Sequence, residues 1–186
     1  MTGIKRLSEA ECVKLWDEYA LPANVRAHCR LVSRVAGFLA EKLRAKGIQV
    51  QPQVVRCAAL LHDLMKVHAI QAGGDEYAQV ERVLSECGFP VLGRICARHG
   101  LYSILEPFPD RGWEEKLVFY ADKRVQHDQL VSVEERLEDL AARYGAGNPH
   151  EAAKIRACLP LVKALEREIF DLIGESPELK ALEAEK

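Results

Sequence analysis

The sequence predicts an all-α fold, a single-domain helical bundle over residues 1–186, and three observations predict it. Apolar residues recur every three or four positions along most of the chain. Capping residues cut it into pieces of ordinary helical length, and few runs alternate apolar with polar residues as a strand would.

Each element has its own warrant. Ser8 with Glu11 three residues later is a capping box that opens a first helix running to about Tyr19. Pro22 suits the first helical position of a second helix, in which Val25, His28, Val32, Val35, Leu39 and Leu43 form an apolar stripe that stops at Gly47. Pro52 opens a third helix whose stretch VVRCAALLHDLMKV is apolar nearly all round, as expected at the centre of a bundle; it carries His62 and Asp63. After the turn AGGD, Asp75 caps a fourth helix ending at Gly88, and Pro90 starts a short fifth that ends near His99 and Gly100. The segment from Tyr102 to Gly112, with Pro107 and Pro109, reads as the one substantial irregular loop, placed to border a pocket.

A sixth helix is expected from about Trp113 to His127, with Val118, Asp122 and Val125 on one face. Ser132 and Glu135 form a second capping box whose helix stops near Gly145. Asn148, Pro149 and Glu151 open a last long helix, which Pro160 should kink. The tail ELKALEAEK is charged and expected to fray.

Bulk properties narrow the function. A chain of 186 residues, 48% hydrophobic, can bury a core without disulfides or a structural metal, so a bound metal is free to serve chemistry. Net charge is −2, with 26 basic and 28 acidic residues mixed along the chain. That leaves no basic footprint for a nucleic-acid polymer or an anionic membrane, and small substrates are expected. Cys12, Cys29, Cys57, Cys87, Cys96 and Cys158 form no C-x-x-C pair and read as reduced core thiols of a cytoplasmic protein. The segment MTGIKRLSEAE has no apolar signal-peptide core, and no apolar run approaches membrane-spanning length.

The informative polar residues are those that fall on buried stripes. His28, the adjacent pair His62 and Asp63, and Asp122 would each be expensive to bury alone. Shared coordination of one divalent cation removes that cost. Two imidazoles and two carboxylates suit a transition ion such as Mn, Fe, Co, Ni or Zn, with Mg also admissible, and leave positions open for water. A lone His-Asp pair is weak, because adjacent helical residues point about 100° apart. The ordered pattern is stronger: His62 follows His28 by 34 positions, and Asp122 follows Asp63 by 59.

In this pattern the chain resembles the HD-domain phosphohydrolases over about residues 20–130. NVRAHCRLVSRVA is similar to the first motif helix, AALLHDLMK to the helix with the His-Asp pair and trailing lysine, and FYADKRV to the helix with the final aspartate. ICARHG resembles the segment that supplies a further histidine, here His99. The resemblance implies an HD-type bundle with the helices of about residues 131–186 packed on a motif-bearing core. It also implies hydrolysis of a small phosphate ester or anhydride, more a nucleotide or dinucleotide than a polymer, by a metal-activated water. Asp63 would ligate the ion and orient that water, and Lys66 would hold a phosphate oxygen, with Lys123 and Arg124 in a similar weaker role.

One departure stands out. Where two-metal branches carry another histidine near the start of the next helix, GGDEYAQVERVL offers Asp75, Glu76 and Tyr77. One ion is therefore expected more than two; a second would need His99, with Asp63 as a bridge. A non-catalytic ligand-binding or regulatory HD module remains open, as does, further off, a di-iron HD oxygenase. His68 is expected exposed or at a pocket rim, and His127 and His150 at exposed helix termini. Tyr102 and its proline loop are placed to shape substrate access, and apolar positions in the last two helices serve either a homodimer seam or the bundle core.

Overall fold

A computed structural model describes residues 7–107 and 111–183 of the chain. Helix α1 (Glu9–Glu18) opens on the Ser8–Glu11 capping box, with both reciprocal bonds made. Buried Trp16 seats it, donating its indole N–H to the Leu60 carbonyl at 2.8 Å. Helix α2 (Ala23–Ala45) follows, and Pro22 is its N-cap, not its first helical residue as expected. Its buried stripe, His28 to Leu43, packs against α3 (Pro52–Leu61).

Helix α3 does not continue through Lys66 as the sequence suggested. It stops at Leu61; His62–Met65 form tight turns, and a separate α4 (Lys66–Ala72) begins. The break has a local cause. The Ala59 carbonyl, which a continuing helix would give to the Asp63 N–H, accepts a bond from His62 Nδ1 at 2.7 Å. The Leu64 and Lys66 N–H groups then reach back only three residues, to Leu61 and Asp63.

Helices α5 (Glu76–Glu86), capped by Asp75, and α6 (Pro90–Ala97) pack on each other, and α6 leads into a short 3-10 turn, Leu101–Leu105. The segment from Tyr102 to Gly112, expected to be irregular throughout, thus begins as a 3-10 turn; Pro109 lies outside the described residues. Helix α7 (Trp113–Asp122) ends five residues before His127, the end that periodicity suggested. Strand β1 (Val125–Gln126) instead pairs antiparallel with β2 (Gln129–Leu130) around a two-residue loop at His127 and Asp128. His127 takes φ +55°, the left-handed conformation such a tight hairpin turn demands. Val125 therefore sits on β1 and not on the face of a helix with Val118 and Asp122.

Helix α8 (Val133–Tyr144) opens on the Ser132–Glu135 capping box. The last long helix is cut, not kinked: α9 (Pro149–Ala157) and α10 (Leu159–Ile173) meet at Cys158. Pro160 explains the cut, since it lacks an N–H and its ring excludes the carbonyl four residues back, so it occupies the first turn of a new helix. The expected fraying tail is held as far as α11 (Lys180–Glu183), because Leu179 and Leu182 are buried; residues 184–186 lie outside the described residues.

One apolar cluster runs from Leu7 through α2, α3, α6, α7 and α10 to Leu182. Helices α3, α6 and α7 lie parallel at its centre. Their N-terminal turns border one cavity of about 830 Å³, and their C-terminal ends meet at the opposite side.

Candidate metal centre

The C-terminal ends of those three helices carry the polar cluster. His62 is the C-cap of α3, His99 follows the C-cap of α6, and Asp122 is the last residue of α7. Helix C-termini are the negative ends of the backbone dipoles, so the scaffold favours a cation there before any side chain is counted. His28 reaches the same point from the second turn of α2.

All five polar side chains are buried: His28 at 7% exposure, His62 at 2%, Asp63 at 3%, His99 at 5% and Asp122 at 7%. His28 Nε2 lies 3.1 Å from Asp122 Oδ1, and His62 Nε2 lies 3.5 Å from the same oxygen and 3.7 Å from Asp63 Oδ2. His99 Nε2 stands 3.6 Å from Asp63 Oδ1, and His28 Nε2 stands 4.0 Å from Asp63 Oδ2. Donor atoms of His28, His62 and Asp122 lie within 4.8 Å of one another, as do those of His62, Asp63 and His99. The tight turns after α3 solve the problem of adjacent residues diverging, because they turn His62 and Asp63 toward one point.

Backbone carbonyls orient the imidazoles. Nδ1 of His28 bonds the His127 carbonyl at 2.9 Å, Nδ1 of His62 bonds Ala59, and Nδ1 of His99 bonds Cys96 at 2.6 Å. A carbonyl only accepts, so each Nδ1 carries a proton and Nε2 is the nitrogen left facing the carboxylates, free to ligate a cation once it carries no proton of its own. This is the arrangement that metal-ligating histidines use. Two buried atoms at the centre, His62 Nε2 and Asp63 Oδ1, have no hydrogen-bond partner. Unsatisfied nitrogen and oxygen atoms buried in one cluster fit a divalent cation, which would satisfy both.

The electrostatics match. Burial pushes the Asp63 carboxyl up, but His62, Lys66 and His99 outweigh it and hold it well below the usual carboxylate range. Burial likewise opposes ionisation of Asp122, and Lys123, His28 and His62 reverse it. Burial lowers His99, only partly offset by Asp63, and keeps its imidazole neutral. For His62 burial is overcome by Asp63, Cys29 and Asp122, which raise it well above its ordinary value. Without a metal, the centre thus holds a proton where a cation would sit.

The structure separates the expected phosphate handles. Lys66 Nζ bonds Asp63 Oδ2 at 2.7 Å and keeps a third of its side chain exposed, at the edge of the cluster. Lys123 is buried, paired with Asp122 Oδ2 and bonded to the His99 carbonyl at 2.8 Å. Arg124 is turned to structural partners: the carbonyls of Val131 and Pro177 and the Tyr120 hydroxyl. Neither Lys123 nor Arg124 presents a free cation to a phosphate. His68 is half-buried against Tyr19, and its Nδ1 has no partner. The His127 side chain is exposed, at a hairpin tip and not a helix end, while His150 is exposed at the start of α9.

Sequence reasoning missed two features. The hairpin that supplies the His127 carbonyl has no apolar alternation in its two-residue strands to announce it. Tyr77 packs its ring on His99, centroids 5.1 Å apart. Burial, with Glu76, Asp122 and Asp63 nearby, raises its phenol, which stays protonated.

Comparisons with known proteins place this geometry. The family model for the HD domain matches residues 25–124, a span that contains all five residues of the cluster. An uncharacterized protein of Methanocaldococcus jannaschii is 30% identical over 142 residues, covering 68% of this chain and 80% of the relative. No solved structure matches the chain.

Proposed function

The chain belongs to the HD domain family, and from that premise we propose that it is a metal-dependent phosphohydrolase acting on a small phosphate ester or anhydride, a nucleotide or dinucleotide. The observation that carries the reading is the buried convergence of His28, His62, Asp63, His99 and Asp122 around unsatisfied ligand atoms. A divalent transition ion held there by His28, His62, Asp63 and Asp122 would supply a Lewis acid that activates water and offsets charge on phosphoryl oxygens.

The chain's own groups do the rest. Asp63 offers a carboxylate oxygen to the ion, and Lys66, bonded to its Oδ2, holds that carboxylate in place at the edge of the cluster. Asp63 so held can orient the attacking water, while the exposed part of Lys66 can hold a phosphoryl oxygen. Lys123 keeps Asp122 ionised, and the carbonyls of His127, Ala59 and Cys96 hold the imidazoles in the ligating tautomer. One ion is favoured over two because the Nδ1 of His62 is already bonded, so its single free nitrogen serves one cation. A balanced surface charge of −2 supports a small substrate over a polymer, and Leu161 and Leu172, exposed on α10, support a homodimer seam.

Metal analysis of the purified protein, then a substrate screen with Mn or Co, tests the reading. The screen takes nucleoside mono-, di- and triphosphates, dinucleoside polyphosphates and cyclic dinucleotides. Near one equivalent of metal, lost in H62A and D63A, with turnover of one class, is expected. A loaded protein that leaves every substrate intact would transfer the assignment to a ligand-binding module.

A further inference from the structure

The three imidazoles belong to a longer row of rings. His28 and His62 have centroids 5.3 Å apart, His62 and His99 4.7 Å, and His99 and Tyr77 5.1 Å. The first three members present Nε2 to the carboxylates. The fourth, on the first turn of α5, presents a phenol. Its ring packs on His99, whose Nε2 stands 3.6 Å from Asp63 Oδ1, which puts the phenol beside the centre and not on a remote surface, with Glu76 as its neighbour on the same helix turn.

Gly100 fixes where the phenol lies. A Cβ at position 100 would stand 2.7 Å from Tyr77 Cζ and 2.9 Å from its hydroxyl. Gly100 has φ −57° and ψ 144°, a conformation open to any L-residue. The glycine is therefore required by the ring above it and not by the backbone, and the chain has a close seat for the Tyr77 hydroxyl beside His99.

We propose that Tyr77 is a substrate-binding residue of the metal centre, its hydroxyl donating a hydrogen bond to an oxygen of the bound phosphoryl group. This rests on the metal-centre reading above. A neutral phenol adds no cation and takes no proton from the ion's ligands; it supplies direction. Together with Lys66 at the edge of Asp63 it gives the phosphoryl group one charged and one neutral donor.

The test uses the full-length protein loaded with Mn, titrated with inorganic phosphate, with metal content measured first. Y77F removes the donor and keeps the ring. G100A pushes the phenol from its seat without straining the backbone. Both are expected to retain the wild-type metal content and melting temperature, and to bind phosphate about tenfold more weakly, the size of one hydrogen bond to a charged group. Unchanged phosphate affinity in Y77F at unchanged metal content overturns the assignment of Tyr77 alone. Loss of metal from Y77F also overturns it, by making Tyr77 a ligand. Absence of metal from the wild-type protein, seen before any phosphate is added, overturns the metal-centre reading and this proposal with it.

Discussion

Lys123 is the residue whose environment differs most from what its position in the sequence suggested. Beside Asp122 in FYADKRV it read as a phosphate handle, but it is fully enclosed, and its ammonium serves Asp122 and the His99 carbonyl. Removing one partner of a buried pair leaves an uncompensated charge. K123M should therefore destabilise the metal-free protein by about 3 kcal/mol or more in urea unfolding. Part of that loss should return on adding metal, since a cation neutralises the same carboxylate; no recovery would mean that Asp122 is not a ligand. The buried cluster was legible because burying His28, His62, Asp63 and Asp122 makes little sense one at a time. Lys123 was not, since a lysine's partner depends on which way its stem runs, and periodicity is blind to that. His62 gives a pH signature. Its folded value lies above the ordinary 6.5, so in the metal-free protein its stabilising contribution is full below 6.5 and is lost as pH rises through the folded value. The urea midpoint of the metal-free protein should fall over that window, and H62Q should flatten the profile. Metal affinity should rise over the same window as the competing proton leaves.

At the level of elements, the capped helices were read nearly to the residue, because Ser8, Asp75, Ser132 and Asn148 each make the backbone bonds their side chains advertise. The errors fall where a tertiary bond overrides a local pattern. Ala59 gives its carbonyl to His62 and α3 ends early; Asp122 ends α7 so that the chain can fold back as β1 and β2. That hairpin matters through one atom, the His127 carbonyl that holds His28. Its left-handed backbone gives a clean test. H127G keeps the conformation and should load metal normally, whereas H127V, β-branched at a positive φ, should distort the turn and weaken metal binding about 10- to 100-fold in a competitive chelator assay. Equal affinity in both variants would make the hairpin a mere connector.

The whole molecule is organised by the three parallel helices α3, α6 and α7, buried in the large apolar cluster that joins Leu7 to Leu182, beside a small second one of Ala141, Ala152 and Ile155. A main core that spans most of the helices predicts one cooperative unfolding transition, and a cation bound only by the folded form should raise its midpoint. At a hundredfold excess over its dissociation constant the gain is about 2.7 kcal/mol, so chelation should lower the melting temperature and metal should restore it in calorimetry. Two separate transitions, only one of them metal-sensitive, would divide the chain into independent units. The fold class was plain in the sequence, since helical periodicity and caps are local. The parallel arrangement of three helices is not local, and only the structure shows it. The carbonyls that grip the three imidazoles are in place once the chain has folded. The donors are thus aimed without an ion, so an ion entering there would call for little rearrangement of the polypeptide, and the speed of its capture would be governed by how quickly it sheds its own hydration.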